Sequence, residues 1–265
     1  MSNELLLRTV EGPVARLTLN DPGRANVLSG AMMAALIEAF AELGADRAVR
    51  VIVLGAAGKV FCAGHDLGEL RATNDPAAHE ALFGRCSELM LTIRACPKPV
   101  IAALNGTAAG AGLSLALACD LRIAAAGTQL IVVFVRVGLV PDAGSLFFLT
   151  RMLGLSKATE LAMSGDPLTV EDAHQLGLIA AVVPPEQLMT AATERARRFN
   201  EGPRQTYALI KHGLERALDL DLEQAMELES QLQSVAAETT DAKEAIQAFI
   251  EKRKPQFGRS PGLVP

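Results

Sequence analysis

The chain has 265 residues and a net charge of −5; half of its residues are apolar, and it contains nine phenylalanines, one tyrosine and no tryptophan. That length accommodates one large domain or a domain with an extension, and its core must be built from Ala, Leu, Val and Ile. The acidic balance argues against a nucleic-acid partner, because phosphate recognition needs a basic face.

Along the chain, the opening MSNELLLRTVEG lacks a basic segment followed by a long apolar core, so no signal peptide is expected. Residues 5–10 and 14–19 are predicted as strands joined through Glu11-Gly12-Pro13, with Asn20-Asp21-Pro22-Gly23 ending the second. Ser29 is placed to cap a helix whose apolar stripe (Met32, Met33, Leu36, Ile37, Phe40, Leu43) has helical spacing and runs out at Gly44. A short buried strand follows at 50–54, then a loop, KVFCAGHDL, and a helix over 79–95 stopped by Cys96-Pro97-Lys98-Pro99. Cys62, Cys86, Cys96 and Cys119 form no Cys-x-x-Cys pair and read as free thiols of a reducing compartment, so a cytoplasmic protein is expected.

Residues 99–119, PVIAALNGTAAGAGLSLALAC, contain an apolar run to Leu104, glycines at 106, 110 and 112, and then a helix-like segment. A strand that turns tightly into a helix leaves the first helical N–H groups without partners, and with the helix dipole they form a site for negative charge. Gly110 and Gly112 permit close approach of a ligand to the backbone. The stretch carries no charge, yet its glycines, Asn105 and Thr107, with Asp120 and Arg122 just beyond, argue against a membrane span. A dinucleotide site is also disfavoured, because Leu115 stands where a third glycine is needed.

Strands are predicted again at 120–125 and 129–133, and the alternation of strands and helices indicates α/β architecture with parallel pairing. From residue 157 helices dominate, at 157–163, 170–176, 186–199, 204–217, 222–237 and 242–252, with one strand at 179–183. Asp241 with Glu244 fits a capping box for the last of them. The stripe Leu222, Met226, Leu232, Val235 packs either inside the chain or against another subunit. The tail, GRSPGLVP, is expected to be disordered.

The segments FCAGHDL, PKPVIAALNGTAAGAGLSLALACD and VGLVPDAGSLFFLTRMLG together resemble the crotonase family of enoyl-CoA hydratases and isomerases, and the likeness extends from the first strands to EAIQAFIEKRKPQF. The resemblance implies a ββα spiral core of the ClpP-like crotonase type, here residues 1–200, and a helical C-terminal trimerisation region, residues 201–265. It implies an acyl-CoA substrate, no further cofactor, no metal, no membrane partner, and assembly as a homotrimer or dimer of trimers. It further implies that the backbone N–H groups of His65 and Ala111 hold a thioester enolate; the His65 imidazole is expected to fill the pocket, the alternative being a chemical role. Contacts to CoA would come from Arg24, Ala25, Ala63, His65, Leu67, Gly110 and Phe134. Lys252 and Lys254, expected in the last helix, would reach the nucleotide 3′-phosphate of the same or of a neighbouring subunit. The stretch 71–84 is expected to shape the acyl pocket.

Departures from the family pattern bear on the reaction. Hydratases of the family carry two glutamates that hold and activate a water; the matching positions here are Ser114 and Phe134, and neither is a carboxylate. Asp142 remains, where family isomerases carry their acid/base group, and VVFVRVGLVPDAGSL with AAGAG before it looks most like the ring-1,2-epoxyphenylacetyl-CoA isomerases. Asp142 lies among Val137, Leu139, Val140, Ala143 and Leu146 in sequence, surroundings that favour a proton-carrying carboxyl. The alternative role is capping of a helix starting near Gly144. The leading expectation is an acyl-CoA isomerase with Asp142 as proton shuttle; the rivals are a 2-enoyl-CoA hydratase and a non-catalytic acyl-CoA-binding subunit.

Overall fold

The structure, a computed structural model, describes residues 4–72 and 74–258. The chain opens with a hairpin, β1 (Leu6–Glu11) and β2 (Val14–Leu19), followed by α1 (Gly30–Ala45), whose first turn is capped by the Ser29 hydroxyl accepting from Met32 N. Three strand pairs follow, each leading into helix. They are β3 (Val51–Ala56) and β4 (Val60–Cys62), then α2 (Leu67–Arg71) and α3 (Pro76–Ala95); β5 (Val100–Leu104) and β6 (Thr107–Ala109), then α4 (Ala111–Ala118); and β7 (Leu121–Ala125) and β8 (Gln129–Ile131), then a 3-10 turn at Val133–Val137 and α5 (Ser145–Ser164). The remainder is β9 (Pro167–Thr169), α6 (Val170–Gln175), β10 (Ala181–Val183), α7 (Leu188–Asn200), α8 (Arg204–Ala217), α9 (Leu222–Glu238) and α10 (Thr240–Ile250).

Each repeat delivers its first strand to one sheet and its second to another. The larger sheet has the order β1-β2-β3-β5-β7-β10 and the smaller β4-β6-β8-β9. Pairing is parallel except for the β1–β2 hairpin and the β8–β9 edge. The central strands of the larger sheet are buried on both faces, which is why β3 is apolar without alternation. Ile52 and Leu54 face a large core shared with α1, α3 and α4, while Val51 and Val53 face a second layer closed by Leu188, Ala192 and Ala196 of α7. Every residue of α4 is buried, in keeping with a helix apolar on all sides. No helix among the described residues is long and apolar enough to cross a membrane.

Several expectations require correction. Residues 60–62, read as loop, form β4, and β6 and β9 were not expected as strands. The strand that feeds α4 is therefore β6, and Asn105-Gly106 is the bend by which the chain passes from one sheet to the other. The strand beginning at 129 ends at Ile131 rather than at residue 133. The helix expected at 157–163 is the second half of α5, which starts at Ser145 and is interrupted at Gly154. The last helix is capped by Thr239, whose hydroxyl accepts from Ala242 N at 3.1 Å; Asp241 instead accepts from Gly258 N and Glu244 binds Arg253. The capping box is at α9, between Asp221 and Gln224. Within one chain Leu222, Met226 and Val235 are exposed, so the intrachain-core reading fails for them, whereas Leu232 is half-buried against Gly213 of α8. Of the tail expected to be disordered, residues 259–265 lie outside the described residues.

Candidate active site

Two main-chain turns meet at the ends of β4 and β6, neighbouring strands of the smaller sheet. One follows β4 and passes through Gly64, with φ of 96°; the other lies between β6 and α4 at Gly110, with φ of 53° and ψ of −130°. A Cβ at Gly64 would stand 2.9 Å from the Ala109 carbonyl oxygen and 3.1 Å from Ala111 N, and one at Gly112 only 2.3 Å from the Cys62 carbonyl oxygen. Glycine at 64 and 112 is thus what lets the two turns touch. The N–H of Ala111 lies in the first turn of α4, where no intrahelical acceptor exists. Among the described residues neither this N–H nor that of His65 donates to a protein acceptor. Two unused amide donors on adjoining turns, one at a helix N-terminus, are available to a negatively charged group.

Asp142 comes to the same place from the loop before α5. Its carboxyl does not cap that helix: the N-cap is Gly144, without a side-chain bond, and Ser145 N donates to the main-chain oxygen of Asp142 at 2.8 Å. Instead Asp142 Oδ2 lies 2.7 Å from His65 Nε2, while Ser114 Oγ on α4 donates to the Asp142 carbonyl at 3.2 Å. Carboxyl and main chain are thus both held, the first by the turn after β4 and the second by α4. The apolar sequence neighbours do not supply the surroundings expected of them: Val137, Val140 and Leu146 are exposed and only Ala143 is fully buried. The packing comes from elsewhere in the chain. Phe83 of α3 meets the His65 ring edge-on at 5.3 Å, and Phe134 is buried with its ring against Gly110.

The segment after β2 runs beside the His65 turn. Ala63 N donates to the Ala25 carbonyl and Leu28 N to the Gly64 carbonyl, at 3.0 and 2.8 Å. Asn26, fully buried, accepts from Asp21 N and donates to the Ala57 and Val60 carbonyls, stitching these loops together. Asp66 caps α2 through Gly68 N and Glu69 N, and it also pairs with the half-exposed Arg24. Leu67 is exposed at the start of α2. The fold therefore joins Arg24, Ala25, Ala63, His65, Leu67, Gly110, Ala111, Phe134 and Asp142. Within one chain Lys252 is not joined to them, its expected contact in a neighbouring subunit being a separate matter. It lies beyond the end of α10 rather than in it, and the segment is tied elsewhere by Lys254 to Glu201.

Three contributors were not singled out from the sequence. Asn26 carried no signal beyond a turn-rich neighbourhood. Phe83 falls in the stretch expected to shape the acyl pocket, although Thr73 of that stretch lies outside the described residues. Cys86 on α3 is close enough to Asp142 for its charge, together with burial, to push the thiol well above the usual range. The four cysteines are unpaired and buried; burial pushes Cys62 and Cys119 up to about 12, which leaves Cys62 a packing group.

Known proteins similar to this chain point to one family. Residues 9–260 match the enoyl-CoA hydratase/isomerase family. A 1,2-epoxyphenylacetyl-CoA isomerase of Escherichia coli (strain K12) is 38% identical over 96% of the chain and 98% of its own length. A trans-2-decenoyl-[acyl-carrier-protein] isomerase of Streptococcus mutans is 36% identical over 95% of the chain and 97% of its own length. Among solved structures, an enoyl-CoA hydratase of Mycobacterium smegmatis superposes with a TM-score of 0.92 at 38% identity, covering 96% of the chain and 98% of that structure.

Proposed function

This chain belongs to the enoyl-CoA hydratase/isomerase family and has its crotonase fold, and from that premise we propose that it isomerises an acyl-CoA thioester through an enolate, with Asp142 as the proton shuttle. The thioester oxygen sits between the His65 and Ala111 N–H groups. As a proton leaves the acyl chain, negative charge collects on that oxygen, and donors already in place stabilise it without reorganising; the loss of one such donor costs about 3–4 kcal/mol. Asp142 takes the proton from one carbon and returns it to another. The double bond, or the unsaturated or epoxy system, is rearranged with no net gain or loss of atoms and no co-reactant.

One observation carries this reading: the Asp142 carboxyl is bonded to the very residue whose amide is one of the two donors, at 2.7 Å, rather than to the helix it precedes. Base and oxyanion site are thereby fixed relative to each other. Against hydration, Ser114 Oγ is committed to the Asp142 carbonyl, and the buried Phe134 ring packs on Gly110 where a water-holding carboxylate would be needed. Two relatives with isomerase names add weight. The hydratase name of the Mycobacterium smegmatis structure keeps hydration as a second reading.

A panel of unsaturated acyl-CoA thioesters incubated in deuterated water, followed by mass spectrometry, tests the proposal. The expected result is deuterium entry at the α or γ carbon together with the shifted isomer. Asp142→Asn should abolish both and leave acyl-CoA binding within about threefold, because the carboxyl is not among the residues assigned to the CoA moiety. Persistence of turnover in that variant overturns the assignment. Robust hydration of crotonyl-CoA favours the second reading, and tight binding without exchange favours a binding subunit.

A further inference from the structure

Resting on that reading, we infer that the His65 imidazole is a positioning residue: donating from Nε2, it anchors Oδ2 of Asp142 and sets the acid/base group against the oxyanion site through both halves of the proton transfer. One residue then does two jobs, its main-chain N–H serving the substrate oxygen and its side chain holding the base.

The tautomer follows from what surrounds the ring. The His65 side chain is only 3% exposed, its edge lies against Phe83, and Nδ1 is buried with no partner among the described residues. A proton on Nδ1 would be a buried donor without an acceptor, which costs about 1–3 kcal/mol. A proton on Nε2 instead makes a charge-assisted bond to Oδ2 at 2.7 Å. The neutral Nε2–H form is therefore selected by packing.

That arrangement suits a shuttle. As an anion, Asp142 accepts at Oδ2. As an acid with its proton on Oδ1, which has no partner among the described residues, its Oδ2 is the carbonyl oxygen and still accepts. The imidazole thus need neither move nor change protonation while the carboxyl cycles. The Cys86 thiol on α3 is close enough to Asp142 to feel its charge, and burial keeps that thiol protonated; the nearby Asp66 is paired with Arg24 and caps α2. The Ser114 bond to the Asp142 carbonyl fixes the main chain but leaves the carboxyl torsion open; His65 is what sets it.

The test uses His65→Ala and His65→Gln, both of which keep the main-chain N–H, beside Asp142→Asn. For His65→Ala, kcat should fall about 10- to 100-fold, the range of a hydrogen bond to a charged group, with KM for the acyl-CoA within about threefold. His65→Gln, whose side-chain amide can donate, should recover part of the loss. In the native enzyme, nitrogen NMR of isotopically labelled histidine should show His65 as the Nε2–H tautomer. An inactive Asp142→Asn with an unimpaired His65→Ala overturns the positioning role and leaves the reaction assignment standing. An active Asp142→Asn instead overturns the reaction assignment. An Nδ1–H tautomer overturns the inference even where His65→Ala fails to fold.

Discussion

Gly64 shows how finely one residue sets this site. Its φ of 96° is already unfavourable for a side chain, and a Cβ would press on the Ala109 carbonyl and on Ala111 N. Both atoms belong to the turn that carries the second oxyanion donor, so the added methyl separates the donors before it disturbs anything else. Gly64→Ala should lower kcat at least tenfold, with a smaller change in acyl-CoA affinity, read by steady-state kinetics and titration; wild-type turnover would show that the two donors do not act together. At this scale the sequence was partly legible. Gly110 and Gly112 announced a strand-to-helix turn by spacing alone, and the family likeness of FCAGHDL supplied its partner turn. The contact between His65 and Asp142 spans 77 residues and leaves no local periodicity to read, and so the imidazole was assigned to filling the pocket. The apolar flanks of Asp142 misled for the same reason: neighbours in sequence need not be neighbours in space.

Long elements were legible and short ones were not. Residues 14–19 and 204–217 fall where they were expected, because each presents a full pattern of burial or helical spacing. The three-residue strands β4, β6 and β9 are too short to show an alternation, and what makes them strands is the spiral that brings each beside the last. The helices after residue 201 were recognised, but not what they face. Among the described residues α8 and α9 bury no side chain, and Leu214 on α8, Met226 on α9 and Phe249 on α10 are more than half exposed. Exposed apolar faces on amphipathic helices mark an interaction surface, and the occupant expected from the sequence is a second copy of the chain. Light scattering at micromolar concentration should give the mass of a trimer or of a dimer of trimers. Leu214→Glu combined with Phe249→Glu, both at exposed positions, should shift it toward monomer without unfolding the core, whereas a monomeric wild type would refute the assembly.

For the whole molecule the buried thiols set a limit on alkaline stability. Cys62 and Cys119 rise from 9.0 to about 12 because burial disfavours the thiolate, and Cys86 and Cys96 rise for the same leading reason. The unfolded chain loses these protons from about pH 9, while the folded chain keeps them. Their contribution is thus whole below pH 9 and is lost as pH climbs toward 12, at about 1.4 kcal/mol per pH unit for each thiol. Lys98 has the opposite sign. Burial lowers it to about 8 from 10.5, so the folded state gains over that interval, where its own ammonium is already discharged while that of the unfolded chain is not. One lysine offsets at most one thiol, and above 10.5 it no longer acts. Urea unfolding should therefore show stability falling from about pH 9, and about a third more steeply between pH 10.5 and 12, where the lysine no longer offsets one of the four thiols. Cys62→Ala combined with Cys119→Ala should flatten that steep limb by about two protons' worth of slope, since both thiols are removed from the unfolded and the folded chain alike. An unchanged slope in the double variant would mean that the folded protein already ionises these thiols, and that the core around the two oxyanion turns admits more water than its packing indicates.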